Sequence, residues 1–268
     1  MKLKRIALLL AALSSAWCCR AGVRDMTVKV LETYPHNTDA YTQGLFFHEG
    51  KMYETTGQYG ESSIRQVDLE SGKVLRKVSL TDKYFGEGSC IVDGNLYLLT
   101  WKNRVAFVYD AETFKYKKTL AYPRDGWGLA PVPRDMAAKL KPGKVPAGTG
   151  DVVMVSSDGS SNLYYLDNEL RLVRTVKVKL GDMPVRLLNE LEWIDGKIWA
   201  NVYTTDMIVV IDPLTGEIEG KIDCSSLIPQ SQRDRHMDVL NGIAQGPDGS
   251  IYLTGKYWPK LFKIKTIF

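Results

Sequence analysis

Histidine and cysteine are scarce in this 268-residue chain, with three and four copies. The histidines are His36, His48 and His236, and no pair has the spacing of a metal-ligand motif. Cys18 and Cys19 are adjacent near the N-terminus, while Cys90 and Cys224 stand far apart, so no zinc-type cysteine pattern exists. There is no Gly-x-Ser-x-Gly elbow and no Walker-type loop. Gly86-x-Gly88 opens no βαβ unit and is not a dinucleotide fingerprint. Chemistry through a metal, a nucleotide or a covalent serine is not expected, and no cofactor is assigned.

Long apolar runs are also missing. The run at 6–13 has eight residues, too short to span a bilayer. Lys2, Lys4 and Arg5 precede it, and Ser14, Ser15 and Ala16 follow. That order reads as a secretory signal over 1–21. Cleavage after Ala21 fits, and so does lipid attachment at Cys18 or Cys19, although the bulky Trp17 disfavours Cys18. The expected product is periplasmic or secreted, or tethered at its N-terminus, with no membrane span. Cys90 lies in the apolar stretch Ser89-Cys90-Ile91-Val92, where a packed thiol is the default. An oxidising compartment leaves a disulfide with Cys224 open.

An excess of one charge is absent once the leader is set aside. The formal +4 comes from 35 bases against 31 acids, and the leader holds four of the bases and no acid. The remainder is balanced, so a body built to grip nucleic acid is disfavoured.

Long helical periods do not occur, and short alternating runs take their place. Lys51-Met52-Tyr53-Glu54-Thr55, Asn95-Leu96-Tyr97-Leu98-Leu99 and Lys197-Ile198-Trp199-Ala200-Asn201 have the period of two expected of strands. Glu49-Gly50, Asp93-Gly94, Asp195-Gly196 and Asp248-Gly249 mark hairpin turns. A unit recurs: a small-residue strand, a hairpin, an aromatic strand, then a strand running into an acidic turn. Its starts are Gln43-Gly44-Leu45, Glu87-Gly88-Ser89, Trp127-Gly128-Leu129, Asn189-Glu190-Leu191 and Asn241-Gly242-Ile243. Its acidic turns hold Asp68, Asp110, Asp167 and Asp212. The third unit is longer by the Pro-, Gly- and Lys-rich segment 131–150, read as an inserted loop.

Five starts against four acidic turns leave the last unit one strand short. The run Thr27-Val28-Lys29-Val30-Leu31 can supply it and close a ring. The expected fold is all-β: one five-bladed β-propeller over 22–268, its last blade closed by the N-terminal strand. In such a ring, matched positions of different repeats converge on one rim. Gln43, Glu87, Trp127 and Asn189 occupy matched positions yet differ in type, which suits a site better than a structural consensus. The alternative for Glu87, flanked by Gly86 and Gly88, is a solvated turn carboxylate. Trp101, Trp199 and Trp258 read individually as packing residues, but several at a rim would form an apolar pocket that raises a carboxyl pKa.

At these residues the chain resembles the plant- and bacterial-type glutaminyl-peptide cyclotransferases. The resemblance is carried by Tyr41-Thr42-Gln43-Gly44-Leu45, Tyr84-Phe85-Gly86-Glu87-Gly88, Leu99-Thr100-Trp101-Lys102, Gly126-Trp127-Gly128-Leu129, Leu188-Asn189-Glu190-Leu191-Glu192, Ile198-Trp199-Ala200-Asn201-Val202 and Gly255-Lys256-Tyr257-Trp258, in that order along the chain. It implies a metal-independent propeller enzyme that cyclises the N-terminal glutamine of peptides or proteins and releases ammonia. By the same resemblance Glu87 is the catalytic acid/base, and Trp101, Trp127 and Trp199 form an indole pocket. Gln43 and Asn189 bind substrate amides, and Lys256 steadies charge on the carboxamide oxygen or is an ordinary rim cation. Tyr41 stands where the family often has phenylalanine, and its hydroxyl either binds substrate or faces water. A monomer is expected. The competing expectation is a propeller that binds peptide without turnover.

Overall fold

The computed structural model describes residues 22–143 and 145–268. Segment 1–21, expected to be a secretory signal, with Cys18 and Cys19 and the expected cleavage site, lies outside the described residues.

The chain opens with β1 (Arg24–Pro35). Next come β2 (Thr42–His48), β3 (Lys51–Thr56), β4 (Ser63–Val67) and β5 (Val74–Ser79). A second group is β6 (Gly86–Val92), β7 (Asn95–Thr100), β8 (Val105–Asp110) and β9 (Tyr116–Ala121). A third is β10 (Leu129–Pro131), β11 (Met154–Ser156), β12 (Asn162–Leu166) and β13 (Leu172–Lys177). Each of these groups forms a four-stranded antiparallel sheet in sequence order. A two-stranded ribbon follows, β14 (Lys179–Leu180) with β15 (Met183–Pro184).

The last seven strands are β16 (Leu188–Ile194), β17 (Lys197–Val202), β18 (Met207–Ile211), β19 (Ile218–Asp223), β20 (Leu240–Gln245), β21 (Ile251–Gly255) and β22 (Lys260–Ile267). With β1 they make an eight-stranded sheet, ordered β16-β17-β18-β19-β1-β22-β21-β20. It divides at one parallel pairing, β1 with β19, into two antiparallel four-strand halves. The run 27–31 thus lies on the far side of β22 from β21, in the place expected of it, with Thr27 opposite Ile267. The parallel pairing to β19 was not foreseen.

Hydrophobic clusters fill the spaces between neighbouring groups. Phe46 and Ile64 meet Leu98 and Phe107, and Leu99 and Val108 meet Leu129 and Met154. Val155 and Leu163 meet Ile198 and Val209, and Ile208 and Val210 meet Ile243 and Leu253. Ala244 and Tyr252 of the last group meet Leu45 and Met52 of the first. The first strands also touch in succession: β2 with β6, β6 with β10, β10 with β16, β16 with β20, and β20 with β2. The result is an all-β ring of small sheets, consistent with a propeller.

Glu49-Gly50, Asp93-Gly94 and Asp195-Gly196 have positive φ at both residues, as two-residue hairpin turns require. At Asp248-Gly249 only Gly249 does, and Gly246 N–H donates to the Ser250 carbonyl, closing a longer loop. The acidic turns share one device. Asp68, Asp110 and Asp212 each accept the backbone N–H and hydroxyl of a Ser or Thr three residues on.

Segment 131–150 is not all loop. It contains a seven-residue helix, α1 (Arg134–Leu140), whose Met136 and Leu140 are buried in the cluster between the third and fourth groups. Cys90 and Cys224 are both free and buried in different clusters, so the disulfide does not form. Among the described residues no helix is long and apolar enough to cross a membrane.

Around the ring axis, the free edges of first strands are satisfied by carboxylates. Glu190 accepts the N–H of Leu45 at 3.4 Å and of Ile243 at 2.9 Å, so one β16 side chain bridges β2 and β20. Glu192 accepts the N–H of Gln245 at 3.0 Å. Burial pushes both carboxyls upward, Glu192 to about 8.

Candidate active site

Four of the five first strands share an irregularity at one level of the ring. The pairing register slips between Thr42 and Gly44, between Gly86 and Ser89, between Leu188 and Leu191, and between Leu240 and Ile243. A bulge inserts a residue and re-aims side chains. The residues at these slips include Gln43, Glu87, Asn189 and Asn241. In the third group Trp127 sits just before β10, and its carbonyl takes the Gly88 N–H at 2.7 Å. Neighbouring strands close up here to backbone contact. A Cβ on Gly88 would lie 2.4 Å from the Trp127 oxygen, and one on Gly128 would lie 2.1 Å from the Asn189 oxygen.

A second set of side chains comes from the residue just past the second strand in three of the groups. Trp101, Tyr203 and Lys256 extend their hairpin ladders by one step, with N–H bonds of 3.0, 2.8 and 3.0 Å to the carbonyls of Phe85, Leu187 and Val239. This shared offset turns an indole, a phenol and an ammonium toward the same space.

The two sets enclose a cavity of about 290 Å³. Seven of the eight residues expected from sequence line it: Glu87, Gln43, Trp101, Trp127, Asn189, Lys256 and Tyr41. Trp199 does not. It is 7% exposed and packed in the cluster with Ile208, Ile243 and Trp258. Trp199 and Tyr203 are four residues apart, so alternation gives both the same face of the strand. Trp199 is deeper by roughly 13 Å of strand rise. Tyr203 is the aromatic that reaches the cavity, joined by Phe85 and Gln58. The signal for Tyr203 was its position one residue past Val202, matching Trp101 after Thr100 and Lys256 after Gly255.

The walls are aromatic. Phe85 lies 5.4 Å from Trp101 and 5.9 Å from Tyr41, and Trp127 meets Tyr203 edge-on at 5.4 Å, all centroid to centroid. The Lys256 ammonium lies 4.4 Å from the Tyr41 ring centre and 4.9 Å from that of Tyr203. Burial pulls Lys256 down to about 8, although Glu87 and Asp238 favour its charge. Burial likewise holds Glu87 well above the usual carboxylate range, against the attraction of Lys256, and Asp125 adds to the upward shift. Burial and the facing Asp238 carboxylate hold the Tyr41 hydroxyl in its protonated form.

Two buried polar atoms of the cavity residues have no hydrogen-bond partner: Glu87 Oε2 and Asn189 Oδ1. Their backbones are fixed nonetheless. Ser157 Oγ donates to the Asn189 carbonyl at 2.7 Å and accepts the Gly128 N–H at 2.8 Å. Asn241 Nδ2 donates to the Thr42 carbonyl at 2.9 Å and to Gln43 Oε1 at 3.3 Å, so the Gln43 amide keeps its N–H groups for other partners. The cavity therefore offers a carboxyl of raised pKa, a cation of lowered pKa and two carboxamides inside an aromatic wall. Among the described residues, no three His, Cys, Asp or Glu side chains gather where a metal ion would sit.

Comparison with known proteins converges on one family. The sequence model of the family described as glutamine cyclotransferase matches residues 4–138 and 147–266. The stretch it omits lies within segment 131–150. A glutaminyl-peptide cyclotransferase of Arabidopsis thaliana is 36% identical over 244 residues, covering 89% of this chain and 71% of that protein. The crystal structure of the Myxococcus xanthus glutaminyl cyclase superposes with a TM-score of 0.78 at 33% identity, covering 91% of this chain and 98% of that one.

Proposed function

The chain belongs to the glutamine cyclotransferase family and is an enzyme of the glutaminyl-peptide cyclotransferase type, and from that premise we propose how its own residues close an N-terminal glutamine to pyroglutamate. The α-amine nitrogen attacks the side-chain carboxamide carbon, the carbon–nitrogen bond to the amide nitrogen breaks, and ammonia leaves. The amine gives up one proton and the leaving nitrogen gains one, so the enzyme ends the cycle unchanged. Glu87 is the group that handles both transfers. Its acid form delivers a proton to the departing nitrogen, and the proton of the attacking amine restores it. General acid–base help of this kind is worth about 10²–10⁴-fold.

Trp101, Trp127 and Tyr203 hold the folded-back side chain and exclude water, which favours a near-attack arrangement. Gln43 and Asn189 contact the substrate's amide groups. Lys256 stabilises the negative charge that grows on the carboxamide oxygen. Tyr41 supplies an aromatic face to the Lys256 ammonium rather than a proton. The observation that carries this reading is Glu87 itself, a carboxyl 3% exposed at the cavity wall with Oε2 unpartnered and burial holding its proton.

The same reading takes the five four-strand groups as five blades, the last completed by β1. Its support is the succession of touching first strands and the hydrophobic cluster between each neighbouring pair. It also takes the enzyme to act as an exported monomer on glutaminyl peptides, free or lipid-tethered at Cys18 or Cys19. Incubating protein lacking 1–21 with a Gln-initiated peptide and a chelator tests the reaction. Release of one equivalent of ammonia is expected, with nearly complete loss in Glu87→Gln. Saturable binding without release would favour the non-catalytic propeller instead.

A further inference from the structure

We propose that Tyr59 is the platform for the side chain of the substrate's second residue, so that the enzyme favours glutaminyl peptides with an aromatic residue after the glutamine. The inference rests on the cyclotransferase reading and adds a substrate class to it. The cavity, at about 290 Å³, is at the small end for ligand pockets and suits one residue rather than a length of peptide. The next Cα lies 3.8 Å further along the substrate. It must therefore pass the rim, and its side chain meets whatever stands there.

Tyr59 adjoins the cavity wall, following Gln58 in sequence. Its ring is 5.5 Å from Phe85, edge to face, and Phe85 is itself part of the cavity wall. Tyr59 is 51% exposed, a large aromatic left open to solvent. Two nearby rings already have partners: Lys102 lies 4.1 Å from the Trp101 ring centre, and His236 stacks on Tyr257 at 4.3 Å. The turn that presents Tyr59 is strained and clamped. Gln58, which lines the cavity, has φ of +86°, where non-glycine residues rarely sit. Its carbonyl accepts the N–H of Ser62 at 3.0 Å, the Ser62 hydroxyl at 2.7 Å and the N–H of Glu61 at 3.2 Å. Ser62 Oγ also accepts the Gly86 N–H at 2.9 Å, tying the turn to the residue beside Glu87. Strain kept in place by several bonds is characteristic of ligand clamps. A ring ordered before substrate arrives loses little entropy on binding.

The test compares ammonia release from Gln-Phe-amide and Gln-Gly-amide by wild type, Tyr59→Ala and Tyr59→Phe. Wild type should prefer Gln-Phe-amide in kcat/KM. Tyr59→Ala should reduce that preference about fivefold, the size of one aromatic contact, and Tyr59→Phe should retain it. Because both substrates are read on the same preparation, partial misfolding cancels in the ratio. An unchanged ratio in Tyr59→Ala overturns the platform while leaving the reaction intact. No release from either amide by wild type overturns the cyclotransferase reading, and the platform with it.

Discussion

Glu87 and Lys256 are a buried acid and a buried base that feel each other's charge across the cavity, and burial outweighs their attraction on both. The carboxyl is pushed well above its usual range, and the ammonium comes down to about 8. The pairing is unusual because burial moves each group toward its neutral form, the acid upward and the base downward.

Activity should therefore fall on the alkaline side as Lys256 loses its proton at about 8. In Lys256→Arg, whose guanidinium stays charged, that limb should disappear from the kcat profile even if the overall rate drops. A limb at the same pH in the variant would assign the titration to another group.

Tyr203 and Trp199 should separate cleanly under substitution. Tyr203→Ala removes a cavity wall and should raise KM roughly three- to tenfold with little effect on Tm. Trp199→Ala leaves a hole between two sheets and should cost about 3–5 kcal/mol of stability. Steady-state kinetics beside thermal denaturation would check both. A KM effect from Trp199→Ala with unchanged Tm would contradict the packing described above.

Gly128→Ala should damage the site without removing any polar group. The added methyl would have to displace the Asn189 carbonyl, and overpacking of this kind costs about 1–3 kcal/mol. Because Asn189 moves with that carbonyl, turnover should fall further than the loss of folded protein explains. Activity per folded molecule, corrected by circular dichroism, is the measurement.

Glu192 gives a stability prediction whose sign follows from its environment. Its carboxyl is raised from 4.5 to about 8 by burial, so the folded state prefers the protonated form. That contribution is complete below the unfolded value and is lost as pH rises toward 8. Glu192→Gln, neutral throughout, should thus gain on wild type in Tm as pH increases over this range. Parallel Tm profiles would show that the carboxyl is ionised in the fold.

Much of this was legible in the residue order because strands and hairpins are local. Alternating runs marked the strands, one Glu-Gly and two Asp-Gly steps marked the three two-residue turns, and matched offsets brought Gln43, Glu87, Trp127 and Asn189 to one cavity. Depth along a strand was harder to read. Trp199 and Tyr203 share a face, and no local signal says which residue lies at the lip. Helix α1 was hidden because prolines at 131, 133 and 142 bracket it, although Met136 and Leu140 have the i,i+4 spacing of one buried face. Glu190 and Glu192 were passed over because their partners are backbone groups of other strands, which a sequence does not display.

The position of β1 between β19 and β22 has a consequence for the order of folding. The first of the described strands takes its final place only against the two strands that complete the last sheets. Those pairings span nearly the whole chain, and contacts of such long separation form slowly. The earlier sheets can assemble hairpin by hairpin, but the ring stays open until synthesis is essentially finished. Lys256, carried between β21 and β22, therefore reaches Glu87 at the end of assembly. A chain captured before that point would contain most of its sheets and no working site.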